Sequence, residues 1–334
     1  MAAEEGQGAG RGADGLKGAH LRKLLVVMMA MSISSAAVAQ VADREVLVDG
    51  GKAPLHGSLM EPAEPNSGPA VLLISGSGPT DRNGNSTIPQ VRPATMKLIA
   101  EGLAAHGIIS LRFDKRGIGD SAPAMGAEVD LRFTTLVDDA VSWARFLSHQ
   151  PGVTCVVVAG HSEGALIAEM VAERTRICGL ALLSGAGRPA KAVIAGQLAR
   201  LPEPDHAAAI AALDDLAAGK PVANPPLPAL FRPSVQPYLM SWLPIDPAKE
   251  LAKFDGPIAI IQGMNDLQVS VADAHILAAA RAGATLLLLD GTNHVLKAAP
   301  ADPAANFATY ADPNLPLDPR VVPAIADVVK RAER

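Results

Sequence analysis

The feature that most constrains how this chain can fold is a serine flanked by glycines directly after a run of valines. The run covers residues 156–159, and the segment Gly160-His161-Ser162-Glu163-Gly164 follows it. A short valine-rich run predicts a strand buried on both faces, and the apolar residues after Gly164 predict a helix. The turn between them must be too tight for side chains at its flanking positions, which accounts for the two glycines. We therefore expect Ser162 on a strained turn above the end of a sheet; a serine that only caps a helix would not require both glycines.

Predicted strands and helices alternate along most of the chain. Strands are expected at 44–48, 55–60, 70–74, 108–113, 156–159, 179–183, 257–262 and 284–289, and helices at 94–106, 135–149, from 164 onward, 272–282 and 319–334. This alternation predicts an α/β fold with a mostly parallel central sheet flanked by helices. Between 188 and 254 helical segments and proline-rich joints follow one another, which predicts a helical cap insertion at about 186–255.

Positions 1–39 differ in composition from the rest and are predicted to form an N-terminal leader and signal peptide. Arg22 and Lys23 precede an apolar run at 24–31, and Ala37-Val38-Ala39 has the small residues of a cleavage site. The run is too short to span a bilayer comfortably, so no stable membrane span is expected once the signal is cleaved. The main domain is then predicted at 40–334, in a periplasmic or secreted protein. A protein held at the cell surface by an uncleaved signal is the alternative.

Export bears on how the two cysteines are interpreted. Cys155 and Cys178 open two successive predicted strands, so both thiols would lie at the same end of the sheet. In an oxidising compartment they could form a disulfide. Directly adjacent strand positions strain such a bond, so two buried free thiols are an equally good interpretation.

The composition excludes several classes of function. The net charge is −5 and aromatic residues make up 3% of the chain, which argues against a nucleic-acid partner. The histidines and cysteines show no metal-ligand spacing, so neither a metal nor another cofactor is predicted. Nothing in the sequence indicates the oligomeric state.

Three residues with complementary chemistry follow three separate predicted strands. Ser162, Asp266 and His294 should meet, because the carboxyl ends of parallel strands lie at one edge of a sheet. A serine hydroxyl becomes a nucleophile when an imidazole accepts its proton and a carboxylate orients that imidazole. Asp255 and Asp290 are rival acids, but Asp266 follows its strand by a short turn and is preferred.

The chain resembles an α/β-hydrolase, and it is similar to the carboxylesterase branch that carries a Gly-Ser-Gly-Pro-Thr-Asp-Arg-x-Gly-Asn loop. The matching segments are 76–85, 113–121, 160–164, 263–269 and 293–297, and the resemblance extends from about Arg44 to the C terminus. It implies an α/β-hydrolase fold with Ser162 as nucleophile, His294 as general base and acid, and Asp266 as the residue that orients His294.

The resemblance also implies where an oxyanion would be stabilised. The backbone amide of Glu163 lies at the positive end of a predicted helix and is one expected donor. The second donor is expected at Ser77, with Gly78 as an alternative, in a supporting loop that includes Gly76 and Gly78. This loop lacks the spacing of a nucleotide-binding glycine motif.

Charged residues lie close to the same predicted edge of the sheet. We expect Arg82, Asp114 and Arg116 to form an ion-pair network that braces the supporting loop, and Glu163 can join it; a solvated loop is the alternative. His161 is expected to pack beside the serine turn with its side chain directed away from the hydroxyl.

Together these features predict a serine hydrolase that cleaves small-molecule carboxylic esters through an acyl-enzyme intermediate. A peptidase or amidase with the same triad is the closest alternative. A binding module that kept the fold without the chemistry is another. The apolar content of the cap predicts a pocket for small or medium acyl groups.

Overall fold

One eight-stranded sheet runs through the part of the chain that the structure describes, a computed structural model covering residues 41–64 and 67–333. The predicted leader and signal peptide lie outside these residues. The spatial order of the strands is β1-β2-β4-β3-β5-β6-β7-β8. The strands are β1 (Ala42–Val48), β2 (Leu55–Glu61), β3 (Gly68–Ile74), β4 (Ser110–Phe113), β5 (Val153–His161), β6 (Gly179–Leu183), β7 (Ile258–Gly263) and β8 (Thr285–Leu289).

The sheet is mostly parallel, as the alternation of elements predicted. Only the pairings of β1 with β2 and of β2 with β4 are antiparallel, and β3 to β8 all run in one direction. The loops that follow β3, β5, β7 and β8 therefore emerge at a single edge of the sheet.

Helices cover both faces of the sheet. They are α1 (Thr95–Ala105), α2 (Phe133–Ser148), α3 (Glu163–Arg174), α4 (Ala190–Leu198), α5 (Asp205–Ala217), α6 (Pro228–Phe231), α7 (Gln236–Trp242), α8 (Pro247–Leu251), α9 (Val271–Ala280), α10 (Pro303–Ala308) and α11 (Val321–Ala332). None of the described helices is both long enough and apolar enough to cross a bilayer.

The valine-rich strand β5 separates two hydrophobic cores. Val156 and Val158 pack on one side with α2 and α3, and Val157 and Ala159 pack on the other with α1 and α11. All four side chains are fully buried. This burial on both faces explains why β5 is a continuous apolar run rather than an alternating one.

Helices α4 to α8 lie between β6 and β7, where the sequence predicted a helical insertion, and we refer to them as the cap. The cap is held to the main domain through aromatic contacts with Phe133 of α2. The Phe133 ring stacks on Trp242 with centroids 5.8 Å apart, and it also contacts Tyr238 at 6.2 Å.

Cys155 and Cys178 form a disulfide that links β5 to the residue before β6, with Cα atoms 6.1 Å apart. The sequence left this pairing open because directly opposite strand positions would strain the bond. Val157 is paired with Gly179 in the sheet, so Cys178 lies one position out of register with Cys155. The two cysteines are therefore diagonal neighbours, and the strain expected for directly opposite strand positions does not apply to them.

Candidate active site

Ser162 lies on the turn that joins β5 to α3, in a strained backbone conformation with φ 55° and ψ −118°. Its amide donates a hydrogen bond to the Leu183 carbonyl at 2.8 Å. A Cβ atom on Gly160 would lie 2.0 Å from the Gly164 carbonyl oxygen, and one on Gly164 would lie 2.5 Å from that of Ile74. Both glycines are therefore required by the close approach of α3 to the ends of β5 and β3.

The loops after β7 and β8 bring Asp266 and His294 together. The Nδ1 atom of His294 donates a hydrogen bond to Oδ2 of Asp266 at 2.7 Å, and both side chains are buried. The other oxygen of Asp266 accepts bonds from the amides of Gln268 and Val269 at 2.7 and 2.9 Å. With Nδ1 as the donor, neutral His294 has an unprotonated Nε2 available as a base.

The environment of Asp266 keeps its carboxylate ionised. Burial pushes the pKa of Asp266 upward, but the charge and hydrogen bond of His294 and the two loop amides outweigh it, so the pKa lies below its ordinary value. The rival Asp255 instead forms an exposed ion pair with Arg281. The Asp290 side chain is exposed.

Ser162 and His294 line the same small cavity, with a volume of about 100 Å³. Gly76 and Ser77 of the loop after β3 line it as well. The structure thus brings the serine turn, the histidine and the predicted oxyanion loop to one place.

His161 is buried beside this cavity, and its ring lies 4.7 Å from the ring of His294. Its Nε2 donates a hydrogen bond to the His294 carbonyl at 2.7 Å, so it positions the backbone of the histidine loop. Burial, reinforced by the neighbouring His294, lowers the pKa of His161 to about 3. His161 is therefore neutral near neutral pH.

The loop after β3 is folded around Asp81. The Asp81 carboxylate accepts hydrogen bonds from the amides of Asn83 and Asn85, both at 2.9 Å, and its carbonyl accepts one from the Ser75 hydroxyl at 3.1 Å. A Cβ atom on Gly76 would lie 3.1 Å from both Ser162 Cβ and His161 Nδ1. The loop therefore packs directly against the serine turn.

Arg82 and Asp114 form the predicted ion pair. The guanidinium contacts Oδ2 of Asp114 through Nη2 at 2.7 Å and Nε at 3.0 Å, and the Arg82 amide donates to Oδ1 at 2.7 Å. Asp120 contacts the same guanidinium. This network braces the loop from its outer side.

The prediction that Arg116 joins this network is wrong. Arg116 forms an ion pair with Asp139 of α2 and donates to the carbonyls of Gly50 and Ala124, each at 2.8 Å. Arg116 is the second residue of a tight turn that is closed by a hydrogen bond from the Ile118 amide to the Lys115 carbonyl at 2.9 Å, and from this turn its side chain reaches α2. Arg116 anchors the turn after β4 rather than the loop after β3.

Glu163, which was expected to be able to join the Arg82–Asp114 network, instead forms a buried polar cluster with Lys115 and Tyr238. Nζ of Lys115 donates to the Gly76 carbonyl at 2.5 Å and lies 3.5 Å from Oε1 of Glu163. The Tyr238 hydroxyl, from cap helix α7, donates to Oε2 of Glu163 at 2.7 Å. Burial, with the nearby Glu163 charge, raises the pKa of Tyr238 well above its ordinary value, so the phenol stays a donor.

A second cavity, of about 830 Å³, extends from Ser162 to the cap. Its wall is mostly apolar and includes Leu166, Val193, Leu239 and Trp242. A cavity of this size and character is typical of a small-molecule site.

One group of potential metal ligands occurs among the described residues: Glu45, His56 and Asp120. Glu45 hydrogen-bonds to His56 at 2.8 Å, and the Arg82 guanidinium lies against both carboxylates. This guanidinium already supplies the positive charge that a metal ion would bring.

The strand order and the strained serine turn define the class of protein: this chain has the α/β-hydrolase fold, which confirms the predicted fold class.

Residues 94–224 match the family described as serine aminopeptidase, S33. The chain is also 28% identical over 258 residues to esterase EstD of Thermotoga maritima, a match that covers 76% of this chain and 60% of that protein. The chain thus spans less than two thirds of the length of this relative.

Two solved structures share the fold. Est1E from Butyrivibrio proteoclasticus with bound ferulic acid has a TM-score of 0.55 and 18% identity, covering 85% of this chain and 96% of that one. The Pyrococcus furiosus esterase Pf2001 has a TM-score of 0.52 and 18% identity, covering 77% and 84%. These two similarities show the fold alone, whereas the family match and the EstD relative support the α/β-hydrolase superfamily. The resemblance of the 76–85 loop to one carboxylesterase branch stays a prediction.

Proposed function

We propose that this protein hydrolyses carboxylic esters, with Ser162 as the nucleophile. The observation that carries the proposal is the hydrogen bond between buried His294 and Asp266, which lies beside the strained Ser162 turn at a shared cavity. The esterase name of the Thermotoga maritima relative supports it.

The chemistry follows from the protonation states. The unprotonated Nε2 of His294 accepts the Ser162 proton as Oγ attacks the ester carbonyl, and the Asp266 carboxylate stabilises the resulting imidazolium. The imidazolium then protonates the departing alcohol and leaves an acyl group on Ser162. A water molecule, activated by His294, hydrolyses this acyl-enzyme and releases the acid.

The negative oxygen of each tetrahedral intermediate is proposed to bind the amides of Ser77 and Glu163. The Glu163 amide is at the first position of α3, where the helix dipole favours an anion. The carbonyl and the N–H of a trans peptide point in opposite directions. Lys115 donates a hydrogen bond to the Gly76 carbonyl. The Ser77 N–H belongs to the same peptide and therefore points away from Lys115. We assign Lys115 as the residue that positions this donor.

The aminopeptidase description of the matched family makes amide hydrolysis the second candidate. An aminopeptidase needs an acidic group for the substrate's ammonium. The acidic residues that line the large cavity are Glu128 and Glu163, and both are already paired, the first with Arg232 and Ser234 and the second with Lys115 and Tyr238. This pairing favours a neutral ester.

The test is a series of p-nitrophenyl esters from acetate to palmitate, assayed with the wild type and with Ser162→Ala. We expect Ser162→Ala to lower kcat by roughly 10³-fold or more while the circular dichroism spectrum is unchanged. Ester hydrolysis retained by folded Ser162→Ala would overturn the assignment. Alanine p-nitroanilide, compared with p-nitrophenyl propionate, separates the aminopeptidase from the esterase.

We also propose that the protein is exported to the periplasm or secreted. The Cys155–Cys178 disulfide supports this location, since such bonds persist in oxidising compartments. Cell fractionation and the mass of the mature N terminus test it; a mature chain that begins at Gln40 is expected, and a reduced cytoplasmic protein would contradict it.

A further inference from the structure

Ser162 lies between two cavities of very different size. The large cavity beneath the cap has a volume of about 830 Å³ and the small one about 100 Å³. Ser162 and Ser77 line both cavities, so a carbonyl bound at the proposed oxyanion site has one substituent on each side. The two sides therefore offer very different amounts of space to the two substituents.

The position of His294 determines which cavity receives the acyl group of the ester and which receives the alcohol. His294 lines the small cavity and is not part of the wall of the large one. The general acid has to be within hydrogen-bond reach of the oxygen that it protonates. The leaving alcohol must consequently depart on the side of His294, into the small cavity.

We propose that the substrates are esters of a long or bulky apolar acid with a small alcohol, such as methanol or ethanol. This inference rests on the proposed ester hydrolysis. It assigns a larger acyl group than the composition of the cap predicted.

The charged residues at the large cavity indicate that the acyl group is neutral. Arg188 forms an ion pair with Asp273 at 2.8 Å, and Arg232 is paired with Glu128. Lys115 lies 3.5 Å from the Glu163 carboxylate, and Arg116, which also lines the cavity, is paired with Asp139. The positive charges that line this cavity are thus already matched within the protein, and an acidic acyl group would have to displace a partner.

The wall of the large cavity favours a chain of several methylene groups. Leu166 of α3, Val193 of α4 and Leu239 of α7 contribute apolar surface from three helices. Each buried methylene contributes about 0.8 kcal/mol, so a chain of several carbons gains more than a tenfold advantage over acetate.

The direct test compares two isomeric esters, methyl nonanoate and octyl acetate. Their atoms are the same and only the position of the ester group differs. We expect kcat/KM for methyl nonanoate to exceed that for octyl acetate at least tenfold. Equal rates, or a preference for octyl acetate, would overturn the inference. Failure to hydrolyse both esters and p-nitrophenyl acetate would instead overturn the proposed function.

A substitution within the large cavity provides the second test. Val193→Trp fills the cavity and should lower the ratio of methyl nonanoate to methyl acetate hydrolysis at least tenfold. Ala208→Trp is the matched control, because Ala208 is exposed on cap helix α5 and does not line the cavity. An unchanged ratio in folded Val193→Trp would contradict the proposal, and so would the same loss in Ala208→Trp.

Discussion

The side chain of Lys115 is proposed to position the Ser77 amide without contacting the reacting atoms. It lies in a buried cluster with Glu163 and donates to the carbonyl of Gly76, one peptide from the proposed Ser77 donor. Removing Lys115 alone would leave the Glu163 carboxylate buried without a cation, a change that costs about 3–5 kcal/mol of stability. A test of positioning therefore has to neutralise both groups.

The appropriate comparison is therefore between the double variant Lys115→Met/Glu163→Gln and the single variant Glu163→Gln. The double variant should lower kcat by about 10- to 100-fold relative to the single variant, less than the loss of a whole oxyanion donor, with KM within about threefold. Affinity for a trifluoromethyl ketone that mimics the tetrahedral intermediate should fall in parallel. Equal kcat in the two variants would show that Lys115 is only structural.

His161 makes a prediction about pH. Its pKa is about 3 in the folded protein and about 6.5 when it is exposed, so below pH 6.5 the unfolded chain binds a proton that the native chain does not. Stability must therefore fall on acidification, by at most about 1.4 kcal/mol per pH unit from this group. His161→Gln, which keeps a donor for the His294 carbonyl, should show a shallower decline in urea unfolding between pH 6.5 and 4.5. An identical slope in both proteins would refute this.

Among elements, the junction of β5 with α3 is the most constrained. Gly160→Ala would place a methyl group 2.0 Å from a backbone oxygen of α3, and the strand and helix would have to separate. We expect a loss of roughly 3 kcal/mol or more in the free energy of unfolding, together with lost activity.

Gly196 is the matched control for that substitution. It lies within cap helix α4, and a Cβ atom there would have nothing within 4 Å. Gly196→Ala should stabilise the protein by about 0.5–1 kcal/mol, because alanine loses less entropy on helix formation. If Gly160→Ala and Gly196→Ala changed the free energy of unfolding in urea by similar amounts, the close packing inferred at the turn between β5 and α3 would be contradicted.

For the whole molecule, the sequence predicted the features that depend on local pattern. The valines of β5 and the glycines around Ser162 indicated a buried strand and a tight turn, and the structure has both. The strand ends before Asp266 and His294 could be predicted in the same way. Their meeting then follows from the parallel sheet, in which all such ends share one edge.

Features that depend on partners far along the chain could not be predicted. Arg116 forms an ion pair with Asp139 of α2, and Glu163 accepts a hydrogen bond from Tyr238, which lies 75 residues away in the cap. The disulfide depended on a register offset of one residue between β5 and β6. The volume of the large cavity depends on how the cap helices lie over Ser162, which composition does not specify.

The most direct test of the account is to label the protein with a fluorophosphonate and locate the modified residue by peptide mass spectrometry. We predict one phosphonyl group per chain, on Ser162, with loss of ester hydrolysis in proportion to labelling. Ester hydrolysis that persists after Ser162 is fully modified, or labelling at a different residue that abolishes it, would contradict the central claim.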